Sequence, residues 1–111
     1  MSEVYTGVSA SPGIVIGPVF LLRWEVPEVA PRMVEPHEVD HEVARLGAAL
    51  ASAVERLRSV RDRTEQHAGA EEAAIFDVQI SICEDADLRM SVETLMRQGF
   101  AAEKAFDLVL L

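Results

Sequence analysis

One stretch constrains this chain more than any other. Val39, Val43, Leu46, Leu50, Val54, Leu57, Val60 and Thr64 recur at steps of 4, 3, 4, 4, 3, 3 and 4 residues. That spacing puts all eight on one face of a single amphipathic helix over residues 36–67. At 1.5 Å per residue such a helix is about 48 Å long. A rod of that length does not fit inside a small globule, so it needs other helices laid along it, as in a hairpin, bundle or coiled coil. The outer positions alternate in sign through Asp40, Glu42, Arg45, Glu55, Arg56, Arg58, Arg61, Asp62 and Arg63, as expected of a solvated face. Pro36 suits the first helical position and Gly69 the stop.

The residues that follow supply the partners. Over residues 70–84 a second helix is expected, with Ala73, Phe76, Ile80 and Cys83 inward and Ile75 and Ile82 beside them. Asp85 has the chemistry of an N-cap for a third helix, whose stripe is Leu88, Val92, Leu95 and Met96 and whose stop is Gly99. From Phe100 onward a fourth helix would turn Ala102, Ala105, Phe106 and Val109 inward. The sequence closes on Leu108-Val109-Leu110-Leu111 without a capping residue, which reads as a fragment.

Ahead of the long helix the pattern changes. Val4, Tyr5 and Val8 lead into the turn cluster Ser9-Ala10-Ser11-Pro12-Gly13. Ile14-Val15-Ile16 and Val19-Phe20-Leu21-Leu22 follow, with Gly17-Pro18 as a bulge or edge break. This reads as strand, apolar on both faces. A lone strand or hairpin is marginal in water, so it calls for sheet neighbours that these 111 residues do not obviously supply. Residues 23–35, broken by Pro27 and Pro31, read as a linker. The expected organisation is therefore mainly α: strands over 1–22, a linker over 23–35, and a helical unit over 36–111.

Charge narrows the partner classes. The net charge is −9, and residues 65–90 alone hold seven acids against one base. Nucleic acid and anionic membrane are recognised by basic patches, so both are disfavoured, and a basic protein is the natural match. The longest apolar run, Ile14 to Leu22, is too short to span a membrane and contains Gly17 and Pro18. No signal peptide is visible, and the single cysteine, Cys83, fits a reducing, cytoplasmic setting.

Chemistry-bearing motifs are few. His37-Glu38-Val39-Asp40-His41 matches H-E-x-x-H, in which two imidazoles one turn apart hold zinc and the glutamate serves as base. Here it falls in the first turns of an exposed charged helix, with no third-ligand motif, so two solvent-facing imidazoles are the plainer reading. His67 is placed to cap the negative end of the long helix. Cys83 reads as a small buried hydrophobe. Gly7, Gly13 and Gly17 do not have phosphate-loop spacing.

Two stretches carry a family resemblance. Gly7-Val8-Ser9-Ala10-Ser11-Pro12-Gly13-Ile14-Val15-Ile16-Gly17 resembles the opening G-x-x-A-S-P-G-I-A-x-G of Enzyme I, the phosphoenolpyruvate–protein phosphotransferase of the bacterial sugar phosphotransferase system. The run from Glu71 through Ile75-Phe76 to Asp85-Ala86-Asp87-Leu88 resembles its E-x-x-x-I-F-x-x-H-x-x-x-L-x-D-x-x-L segment, and the spacing between the two stretches also fits. The resemblance implies an enzyme that moves phosphate from phosphoenolpyruvate to a histidine and on to the small carrier HPr. It also implies a phosphohistidine α/β domain interrupted by a helical domain that docks HPr.

On that resemblance, residues 1–22 are the first strands of the α/β domain and residues from 36 onward the helical insert. The phosphorylated histidine, in a T-S-H motif, lies after the insert, as do the phosphoenolpyruvate site, its magnesium and the domain through which the family dimerises. His37, His41 and His67 lack that context, so these residues are expected to be inactive alone and to need no cofactor. Carried over by position, the HPr-facing surface is Glu71, Asp77, Ser81, Ile82, Asp85, Asp87 and Leu88. Ser81 stands where the family often has a larger apolar residue, Gln79 replaces a frequent histidine, and Ala70 and Ala86 replace common acids. Other readings stay open: a non-catalytic acidic helical adaptor, the zinc hydrolase, and relatives in the nitrogen branch or among multiphosphoryl proteins. The N-terminal strand and the long helix also offer surfaces for self-association.

Overall fold

The computed structural model describes residues 2–110. Met1 and Leu111, which bound the expected units 1–22 and 36–111, lie outside the described residues. A 3-10 turn, Pro36–Glu38, opens the helical part, with the backbone N–H of Glu35 donating to the Glu38 carboxylate at 3.2 Å. Helix α1 follows over Val39–Ala68, then α2 over Ala70–Cys83, α3 over Ala86–Arg97 and α4 over Ala102–Leu110.

The breaks fall where the backbone demands them. Gly69 has φ = 111° and lets the chain reverse between α1 and α2 within one residue. Asp85 caps α3, its Oδ1 accepting the backbone N–H of Leu88 at 2.9 Å. Gly99, at φ = 106°, ends the α3 region and is crowded by the Met33 side chain. His67 Nδ1 lies 2.8 Å from the Arg63 carbonyl, at the end of α1 where its capping role was expected.

α2 folds back along α1, burying Ala73 and Ile80, while α3 and α4 pack together over the N-terminal half of α1. Leu46, Val92, Met96, Ala102 and Ala105 form the centre of that second contact, ringed by half-buried Val43, Leu50, Leu88, Leu95, Phe106 and Val109. The expected stripe of α1 is inward as far as Leu57, but Val60 is already exposed, because the C-terminal turns of α1 have only α2 to cover them.

The N-terminal expectation is corrected. Among the described residues there is no strand; residues 4–22 form bends and extended chain, and Ile14, Ile16 and Phe20 are 99%, 98% and 87% exposed. A strand bonds only to neighbours, and the helices offer this segment no free edge. An antiparallel bridge lies elsewhere, between Met33 and Phe100. Val34 N–H donates to the Gly99 carbonyl at 2.7 Å, and Ala101 N–H to that of Arg32 at 2.9 Å. Residues 32–34 are thereby stitched to the turn before α4.

Glu42 is the second correction. Expected on the solvated face, it is 5% exposed. Its Oε1 accepts the backbone N–H of Ala102, the first residue of α4, at 3.1 Å, and Arg32 Nη2 donates to the same oxygen at 2.9 Å. Arg45 bonds both Glu42 and Glu103, and Arg32 Nε reaches Glu103 at 2.9 Å. α4 begins after alanine, which has no side-chain acceptor, so a carboxylate from α1 supplies the missing cap. The Arg45 hydrogen bond foremost, opposed by burial, holds the Glu42 carboxyl at about 2.

Candidate functional site: the outer face of α2 and the α2–α3 turn

α2 is apolar on two sides. Its inner set, Ala73, Phe76, Ile80 and Cys83, meets α1 as expected. Ile75, Val78 and Ile82 stand on the opposite side at 60%, 61% and 44% exposure. They are spaced by three and four residues, so they form one continuous stripe on the helix surface. Glu71 shares this outer face one turn earlier. Sequence reasoning set Ile75 and Ile82 beside the core and gave Val78 no role. The available signal was that α2 has apolar residues all round, which a helix buried on one side does not need.

The seven residues carried over by position separate into three groups. Glu71, Ile82 and Asp87 are exposed, and neither the Glu71 nor the Asp87 carboxylate makes a side-chain ion pair among the described residues. Asp85 is exposed but spends one oxygen on the α3 cap. Asp77 lies on the flank against α1, where Arg61 Nε donates to its Oδ1 at 2.5 Å; Ser81 sits a turn further along, its hydroxyl donating to the Asp77 carbonyl at 2.9 Å. Leu88 is half-buried against the core, so it offers only an edge to the surface. Thus the stripe, Glu71 and the turn acids are all exposed, while Leu88 is turned mostly to the core.

Arginines from α1 border this region. Arg58 Nη2 donates to Glu84 Oε1 at 2.8 Å. Arg61 also donates to Glu65 at 2.9 Å, and Asp77 foremost among its partners raises the guanidinium pKa above its ordinary value. An open groove of ≈490 Å³ beside the turn is lined by Val54, Arg58, Cys83, Glu84 and Arg89. Its charged groups are already engaged, Arg58 by Glu84 and Arg89 by Glu93 at 3.0 Å. The face has an apolar centre in Ile75, Val78 and Ile82 and exposed carboxylates near its ends.

The H-E-x-x-H residues are not brought together for catalysis. His37 lies in the 3-10 turn, His41 in α1, and the Glu38 carboxylate accepts from Glu35. No three His, Cys, Asp or Glu side chains among the described residues converge as a metal site. Among the described residues no helix is long and apolar enough to cross a membrane.

Comparison with known proteins bears on this face. The family model described as PEP-utilising enzyme, N-terminal, matches residues 6–110. The chain belongs to that family. It is 35% identical over 107 residues to the phosphoenolpyruvate-protein phosphotransferase of Haemophilus influenzae, covering 92% of this chain and 19% of that protein. It is 32% identical over 88 residues to the enzyme of the same name from Enterococcus faecalis, covering 79% of this chain and 15% of the relative. A multiphosphoryl transfer protein of Xanthomonas campestris is 36% identical over 93 residues, covering 84% of this chain and 11% of its own length. The chain thus spans about a fifth or less of the curated relatives it matches. No solved structure matches significantly. The resemblance drawn from the two motifs is borne out, and the matched span takes in both the extended N-terminal segment and all four helices.

Proposed function

We propose that the helical part of this chain is the docking surface on which a phosphoenolpyruvate-dependent phosphotransferase receives the phosphocarrier HPr. In this reading residues from 36 onward form the docking unit, residues 1–22 belong to the α/β unit that bears the phosphohistidine, and residues 23–35 join them. The chain's own histidines take no part in phosphoryl transfer. The observation that carries the proposal is the exposed stripe Ile75, Val78 and Ile82, bordered by Glu71, Asp85 and Asp87. Apolar contacts at the centre supply most of the binding energy, and the acidic edge steers a basic partner toward it.

Titration of isotopically labelled HPr with this chain tests the proposal. Resonance shifts should appear at low salt and shrink as salt rises. Asp87→Lys should slow association without touching the α3 cap, and Ile82→Ala should speed dissociation while leaving the fold intact. A flat titration at low salt would remove HPr as the partner and leave the non-catalytic adaptor as the better reading.

A further inference from the structure

Hydrophobicity alone does not decide how α2 sits on α1. The inner set (Ala73, Phe76, Ile80, Cys83) and the outer set (Ile75, Val78, Ile82) are similar in apolar content and lie on opposite sides of the helix. Burial of apolar surface is non-directional and scales with area, so it drives α2 onto α1 while discriminating weakly between these faces. The complete burial of Ala73 favours the observed face through close approach. The other asymmetry is charge.

Two arginines of α1 reach across the seam. Arg61 meets Asp77 at 2.5 Å and Arg58 meets Glu84 at 2.8 Å. The acids are seven residues apart, two turns along the same flank, so the pairs act as two latches on one edge. Arg61 is only 28% exposed and is braced on its own helix by Glu65 at 2.9 Å and Asp62 at 3.3 Å. Rolling α2 to present Ile75, Val78 and Ile82 to α1 would break both latches. It would also carry the Glu71 carboxylate from solvent into the seam, at a desolvation cost. Charged pairs of modest strength are well suited to choosing one register among packings of similar area.

We infer that Arg58 and Arg61 are positioning residues that set the rotational register of α2 on α1, and thereby keep the Ile75–Val78–Ile82 stripe outside for a partner. The identity of that partner rests on the proposed function; the register does not. The inference opposes simple electrostatics. Replacing both arginines by glutamine makes the chain more acidic, which alone would favour a basic partner. Register control requires the reverse, because the stripe is withdrawn.

The test uses the full chain in a Cys83→Ser background with one reporter thiol, Val78→Cys outside or Ala73→Cys inside. In the parent the outer thiol should label fast and the inner thiol slowly. In R58Q/R61Q the inner thiol should speed up by about threefold or more, the size that losing two exposed ion pairs allows, and the outer thiol should slow by the smaller factor by which its exposed register is depleted. HPr affinity should fall at physiological salt by the factor that slows the outer thiol, and the swap R61D/D77R should restore the parental labelling. Circular dichroism confirms that helix content is kept, and R61K, which retains the charge, should behave as the parent. Unchanged labelling, or faster labelling at both sites, would overturn the inference, since the second result means only a looser hairpin. If labelling exchanges as expected but the parent never binds HPr, the proposed partner is wrong and the register stands. If the parent binds HPr and labelling does not exchange, the partner stands and the register role falls.

Discussion

Ile14 to Leu22 and Ala73 to Cys83 are both dominated by apolar residues, yet they end in opposite states. In the first, Ile14, Val15, Ile16, Val19 and Phe20 are all at least 87% exposed. In the second, Ala73 and Ile80 are buried and the inner face is seated on α1. The difference lies in the backbone rather than in hydrophobicity. A helix satisfies its own N–H and C=O groups and needs a neighbour only for one face. An extended segment needs a neighbour for every hydrogen bond, and the four helices supply none. A similar apolar content is therefore a core in one place and a waiting surface in the other.

Truncating one large side chain on each side of that divide should give the widest contrast. Met96, 1% exposed at the centre of the α1–α3–α4 contact, should cost about 2–5 kcal/mol when replaced by alanine, read as a lower urea midpoint. Phe20→Ala, at a side chain 87% exposed, should change stability by less than about 0.5 kcal/mol. Equal costs would mean the N-terminal segment is packed and the contrast is false. Next in size, Glu42→Ala strips the α4 cap and leaves Arg32 and Arg45 to share Glu103 alone. It should cost about 2–3 kcal/mol, below the usual figure for a fully buried pair because Arg32 and Arg45 are half-exposed. Loss of hydrogen-exchange protection should centre on α4 and leave α2 little changed.

Acid sharpens the same point. The Glu42 and Glu103 carboxyls both titrate at about 2, held down chiefly by Arg45 and Arg32 respectively. Their folded values lie below the unfolded ones, so their stabilisation is complete above the ordinary carboxyl range and is lost as pH falls toward 2. For Glu42 this loss is on the order of 2 kcal/mol after allowing for solvent around the arginines. Unfolding followed between pH 5 and 2 should show it, and Glu42→Gln should flatten the curve. A smaller loss than that of Glu42 belongs to Asp85→Ala, which removes the α3 cap and should cost about 1 kcal/mol by denaturant titration.

Much of the helical architecture was readable beforehand because its determinants are local. The 3.6-residue period of residues 39–64 foretold α1, and Gly69, Asp85 and Gly99 marked the breaks between helices. The motif pair pointed to the family that the matched span now shows. The candidate site was only partly legible. Ile82, Glu71 and Asp87 are exposed, but Leu88 is turned largely to the core and Asp77 is drawn to Arg61. Val78 went unnoticed because a helix with apolar residues on every side has no single inward stripe to subtract. Glu42 was misplaced for a related reason. Its partners come from residues 32, 45 and 102, and no periodicity along one helix announces a carboxylate that caps another.

By itself, the sequence determined where helices start and stop, the apolar stripe of α1 that turns inward from Val39 to Leu57, and where negative charge is concentrated. Each of these depends on groups a few residues apart, whose geometry the backbone dictates. Tertiary structure alone decided which face of α2 meets α1, that Glu42 serves α4, and that residues 32–34 are bonded beside Gly99. Those outcomes join groups up to 71 positions apart, as in the Arg32–Glu103 pair, and they exist only once the helices have packed.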